Sequence, residues 1–120
     1  MNSQPDRRED FFVVDQRTED YSEFVQSIAD SETEVVFFES GREALRANPE
    51  DQPFMWILNM RLPDMKGVDL QQMLRLRGGS SPVVLVGDQY DVTDEIEARS
   101  AGAVLYFAKP LHTDMLLATC

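Results

Sequence analysis

Five short apolar runs, each continuous rather than alternating, punctuate this chain. They are Phe11-Phe12-Val13-Val14, Val35-Val36-Phe37-Phe38, Phe54-Met55-Trp56-Ile57-Leu58, Val83-Val84-Leu85-Val86 and Val104-Leu105-Tyr106-Phe107. A strand with one wet face alternates apolar and polar residues, because successive side chains point to opposite faces. A continuous β-branched and aromatic run therefore predicts a strand covered on both faces, as in a parallel sheet. Helical patterns fill the intervals. Tyr21, Phe24, Val25 and Ile28 have the spacing of one helix face, with Thr18 as cap and Glu19 and Asp20 at the positive end. Ser40-Gly41-Arg42-Glu43 has capping-box spacing and opens a short helix ending before Pro49. Leu70, Met73 and Leu74 mark the apolar face of a third helix, stopped by Gly78-Gly79. Asp91 to Ala101 reads as a fourth, with thin apolar content in Val92, Ile96 and Ala98. A fifth starts near Thr113 with Met115, Leu116 and Leu117, and is short or cut.

The order βαβαβαβαβα predicts an α/β fold, a doubly wound three-layer αβα sandwich on a five-stranded parallel sheet. In 120 residues there is room for one domain. Residues 1–9 read as a loose polar leader and 10–120 as the folded unit. Such sheets place their functional crevice at the C-terminal strand ends. The informative residues are thus Asp15-Gln16, Asn59, Gly87-Asp88 and Lys109-Pro110, which follow the first, third, fourth and fifth runs.

Composition removes several function classes. Eleven basic and twenty-two acidic residues give a net charge of -11, which opposes direct nucleic-acid binding. No basic amphipathic helix or long apolar run indicates a membrane, so a soluble cytoplasmic protein is expected. His112 and Cys120 are each the single residue of their type. They allow neither a Cys/His zinc site nor an internal disulfide, and no Gly-x-Ser-x-Gly elbow suggests a triad. No cofactor is expected, because Asp15-Gln-Arg-Thr18 lacks the glycines of a phosphate loop.

The residues at the strand ends resemble those of the response-regulator receiver domains of two-component systems, the CheY-like family. Trp56-Ile-Leu-Asn-Met-Arg-Leu-Pro-Asp-Met-Lys-Gly67 is similar to the family's phosphoacceptor loop. Ala101-Gly-Ala-Val-Leu-Tyr-Phe-Ala-Lys-Pro110 is similar to its fifth strand and Lys-Pro end. The resemblance covers about residues 10 to 118 and implies the flavodoxin-like strand order 2-1-3-4-5. It also implies an acceptor aspartate, an acidic pair that helps hold Mg²⁺, a phosphoryl-contacting lysine, and a Thr/Ser–aromatic switch.

On this chain that set is broken. The acceptor position is Asn59, a poor nucleophile, and the acidic pair is Asp15-Gln16, leaving at most a weak Mg²⁺ site at Asp15. The Thr/Ser position is Gly87, while Tyr106 and Lys109 remain. Asp15 is expected to pair with Lys109. Asp88 either points at Lys109 and imitates a bound anion or lies in a solvent-facing loop. A cis bond at Lys109-Pro110 would aim the lysine into the crevice. With Gln16 and Asn59 neutral, the excess acid is expected elsewhere on the surface. The resemblance implies a pseudo-receiver that works as a phosphorylation-independent interaction module. Its partners would be a histidine kinase, an output domain, or a second copy through the fourth-helix and fifth-strand face. The alternatives are phosphorylation on a substitute carboxylate such as Asp64 or Asp15, and a small-molecule-binding pseudo-receiver.

Overall fold

The computed structural model describes residues 10–29 and 32–118, so the expected leader over 1–9 and Cys120 lie outside the described residues. Strands β1 (Phe11–Val14), β2 (Val35–Phe38), β3 (Met55–Asn59), β4 (Val83–Gly87) and β5 (Leu105–Ala108) form one parallel sheet in the order β2-β1-β3-β4-β5. Phe11 to Val14 pair in register with Val35 to Phe38 on one side and Met55 to Leu58 on the other. Helices α1 (Ser22–Ser27), α2 (Gly41–Leu45), α3 (Gly67–Leu76), α4 (Val92–Ser100) and α5 (Thr113–Ala118) complete the three layers. The expected topology is the observed one.

The continuous runs have the predicted cause. Alternate residues of β1, β3 and β4 enter two separate cores. Phe12, Val14, Trp56, Leu58, Val83 and Leu85 face α2, α3 and α4, where Ala44, Leu70, Leu74 and Ala98 meet them. Phe11, Val13, Met55, Ile57, Val84 and Val86 face the other layer, with Tyr21, Phe24 and Leu116. The edge strands β2 and β5 are only partly buried, because each has a neighbour on one side alone.

Local readings shift in five places. β3 and β5 each start and end one residue later than their apolar runs, so Asn59 is the last ladder residue of β3. The first helix is preceded by a 3₁₀ turn over Thr18–Tyr21. Arg17, not Thr18, is its cap position, and no side chain caps it. The Asp15 carboxylate takes the Arg17 N–H instead, at 3.0 Å. The capping box at α2 is half formed: Ser40 Oγ accepts the Glu43 N–H at 3.0 Å, while Glu43 accepts from Glu39 rather than from Ser40. On α3, Met73 is 42% exposed and the buried face is Gly67, Leu70, Gln71 and Leu74. Those four have i, i+3, i+4, i+7 spacing, and Met73 falls off that stripe.

Candidate functional site

β1, β3, β4 and β5 end at the same edge of the sheet and bring their C-terminal residues together. Asp15 directly follows β1 and is 2% exposed; Asn59 closes β3 at 3%. Gly87 ends β4, with Asp88 next to it, and Lys109 directly follows β5. Gln16, next in sequence, is exposed. The Lys109-Pro110 peptide is cis. The β3–α3 loop folds back tightly: Gly67 donates its N–H to the Met60 carbonyl at 2.8 Å, and a Cβ at Gly67 would run into the Asn59 carbonyl. Glycine at 67 is therefore a packing requirement.

Lys109 is the centre of the site. Its Nζ lies 2.9 Å from Asp15 Oδ2, 2.8 Å from Asp20 Oδ2 and 3.0 Å from Asp88 Oδ1. An ammonium has three N–H donors, and three carboxylates take them. Burial works against the Lys109 charge, but hydrogen bonds to Asp20, Asp15 and Asp88 outweigh it, so the pKa stands above the ordinary lysine value. The ammonium also sits 5.7 Å from the centre of the Tyr21 ring.

Asn59 occupies the opposite wall. Its Nδ2 donates to Asp15 Oδ2 and to Asp88 Oδ1, both at 3.0 Å. Its Oδ1 accepts the Arg61 N–H at 2.8 Å. The neighbours dictate this orientation, because the reverse would set two carbonyl-carboxylate repulsions and face an NH₂ against an N–H. Asp15 Oδ2 additionally accepts the Tyr21 hydroxyl at 2.8 Å. Burial, with Asp15 beside it, pushes the Tyr21 pKa well above the ordinary value. Asp88 is 57% exposed at its side chain yet bonds both Asn59 and Lys109. Burial alone would raise its pKa, but those two hydrogen bonds hold it below the usual carboxylate value.

This geometry corrects the expected charge distribution. The crevice has not lost its acid: Asp20 and Asp88 bring carboxylates to it from the 3₁₀ turn and from the residue after β4. Sequence reasoning passed over Asp20 and Tyr21 because a helix-periodic pattern accounted for both. Only the turn that breaks the helix at Tyr21 aims them inward.

The residues do not fit the Mg²⁺ that the family resemblance implies. Asn59 turns N–H donors, not lone pairs, toward the carboxylates, and the Lys109 ammonium already lies among all three. Among the described residues no group of three or more His, Cys, Asp or Glu is arranged to hold a metal ion. Asp64 is engaged elsewhere: its two oxygens accept the Gly41 and Arg42 N–H groups at 2.9 and 2.8 Å and cap α2. These bonds outweigh its desolvation and lower its pKa.

At the switch positions, the Tyr106 hydroxyl lies over Gly87. A Cβ built on Gly87 would stand 2.6 Å from that oxygen and 2.9 Å from the Gln89 carbonyl. The hydroxyl accepts the Asp91 N–H at 3.3 Å and donates to Gln89 O at 3.4 Å. Beyond it, Tyr90, Val92, Ile96, Val104, Leu105, Met115 and Leu117 are exposed. His112 flanks α5, its carbonyl accepting from Met115 at 2.9 Å. Among the described residues no helix is long and apolar enough to cross a membrane.

The sequence matches the response regulator receiver domain family over residues 11–120. It is 38% identical over 86 residues to the transcriptional regulatory protein KdpE of Mycobacterium tuberculosis, covering 71% of this chain and 37% of that protein. It is 36% identical over 61 residues to the response regulator protein TodT of Pseudomonas putida, covering 51% of this chain and 27% of that one. The chain thus spans between about a quarter and two fifths of the length of these curated relatives, 27% of one and 37% of the other. The fold is shared with a response regulator receiver protein from Pseudoalteromonas atlantica (TM-score 0.78, 21% identity, 91% of each chain). It is shared too with a CheY-like receiver domain from Methanospirillum hungatei (TM-score 0.80, 20% identity, 93% of this chain and 90% of that one). With its strand order, its Lys-Pro end and its β3–α3 loop all in place, this chain belongs to the response-regulator receiver family.

Proposed function

We propose that this receiver domain acts as a phosphorylation-independent protein-interaction module in two-component signalling. One observation carries the reading. The acceptor position holds an amide whose N–H groups are spent on Asp15 and Asp88, and the phosphoryl-contacting lysine is saturated by three carboxylates. An amide has no carboxylate oxygen with which to attack phosphorus. Asp88 Oδ1, between Lys109 and Asn59, supplies the negative charge that a bound phosphoryl oxygen would otherwise bring to Lys109. The partners are a histidine kinase or an output domain, or a second copy of this chain. The last would dock on the exposed apolar face formed by Tyr90, Val92, Ile96, Val104 and Leu105.

The test is intact-mass measurement after incubation with acetyl phosphate and Mg²⁺. The expected spectrum is that of the untreated chain. A stoichiometric phosphoryl adduct would overturn the reading, and its mapping to Asp15, Asp64 or Asp88 would establish a substitute acceptor instead.

A further inference from the structure

Helix α4 is poorly anchored by apolar packing. Only Asp94 and Ala98 of its residues are buried; Val92 is 57% exposed and Ile96 61%. A cleft of about 410 Å³ separates it from the β3–α3 loop, lined by Met60, Arg61, Lys66, Asp94, Ile96 and Glu97. Two ion pairs span that cleft. The Arg61 guanidinium grips the Asp94 carboxylate at 2.6 and 3.2 Å, a two-pronged bond that fixes direction as well as distance. Lys66 reaches Glu97 at 3.8 Å, a looser and more exposed pair. The Arg61 backbone N–H is in turn held by Asn59 Oδ1 at 2.8 Å. Arg61 therefore touches the acceptor position with its main chain and α4 with its side chain.

We infer that Arg61 sets the position of α4, and with it the exposed apolar face beside β5, as a fixed strut from the β3–α3 loop. The inference concerns where α4 sits and holds whether or not the site takes a phosphoryl group. The Asp94 carboxylate is 6% exposed at its side chain and cannot be left without a cation at low cost, so the strut resists release. Lys66 is the minor arm. Because Arg61 lies two residues after Asn59 and bonds it directly, this route bypasses Gly87 and Tyr106. A helix that buries only Asp94 and Ala98, and whose strongest tie crosses an open cleft, can be released locally while the sheet stays folded.

Hydrogen–deuterium exchange read by mass spectrometry tests this on the free chain. In Arg61→Ala, the amides of residues 92–100 are expected to exchange about tenfold faster or more, as loss of a charged hydrogen-bond pair implies. Peptides covering β1, β3 and β4 should be unchanged. Lys66→Ala should alter α4 by about twofold at most. The double variant Arg61→Ala with Asp94→Ala separates a strut from simple charge compensation: α4 should remain fast-exchanging. Return of α4 to wild-type protection in the double variant would overturn the inference, because packing would then suffice to place the helix. Unchanged α4 exchange in Arg61→Ala, or a uniform rise across the whole sheet, would overturn it too.

Discussion

A carboxylate and an amide have nearly the same shape, so Asn59 fits where an aspartate would, and the difference is entirely electrical. In this site the amide is a bridge between Asp15 and Asp88. Asn59→Asp would set a third carboxylate against those two and remove both N–H donors. It should cost about 1–3 kcal/mol at neutral pH, the range for an unmade buried hydrogen bond. The loss should shrink on acidification, because the introduced acid is more basic when folded than unfolded. Denaturant melts at neutral and acidic pH check both parts. The single substitution should not restore full switching, since Gln16 and Gly87 remain. Lys109→Met is the harsher change. It leaves Asp15 buried without a cation and should cost about 3–5 kcal/mol, read from a denaturant melt at neutral pH. In the native chain the signs run the other way. The depressed Asp88 pKa gives a contribution present above 3.8 and lost as pH falls through the lower folded value. The raised Lys109 pKa gives one present below 10.5 and lost only on strong alkalinisation. Asn59, Asp15, Gly87 and Lys109 were legible in the sequence because strand ends converge in a parallel sheet. Asp20 was not, since its inward aim depends on a turn set by tertiary bonds.

Elements show where periodicity is a sufficient guide and where it fails. The runs in β1, β3 and β4 are continuous because each strand feeds two cores, a pattern that pointed to a parallel sheet, while the strand order came from the family resemblance. On α3 the stripe Gly67, Leu70, Gln71, Leu74 includes a polar residue, which an apolar count skips in favour of Met73. Gln71 is fully buried, and its Oε1 and Nε2 have no hydrogen-bond partner among the described residues. Gln71→Leu should therefore stabilise the domain by about 1–2 kcal/mol, by removing the desolvation cost of an orphan amide. A rise in melting temperature checks it. Between β4 and β5 the fit is steric. Gly87→Thr would bring a side chain into the Tyr106 hydroxyl, displacing the ring outward and costing about 1–3 kcal/mol as overpacking. Tyrosine fluorescence or ring NMR shifts would report the displacement.

At the scale of the molecule, the net charge of -11 works against any self-association. The exposed face at α4, β5 and α5 combines Ile96, Leu105 and Met115 with Glu95, Glu97 and Asp114, so two copies would bring like charges together. If a second copy is the partner that docks on this face, sedimentation velocity should show association that strengthens with salt, as screening shortens the reach of repulsion to about 8 Å near 0.15 M. Ile96→Asp should abolish it. The same acidity is partly internal, with Asp15, Asp20 and Asp88 neutralised in part by Lys109. The claim that joins these scales is that the crevice is already saturated by its own side chains. The direct measurement is a titration of ¹⁵N-labelled chain with Mg²⁺ and acetyl phosphate, following the amides of Asn59, Gly87, Asp88 and Lys109. A crevice already filled by its own side chains gives no saturable shift at those positions. Saturable shifts there, spreading to α4, would contradict that claim.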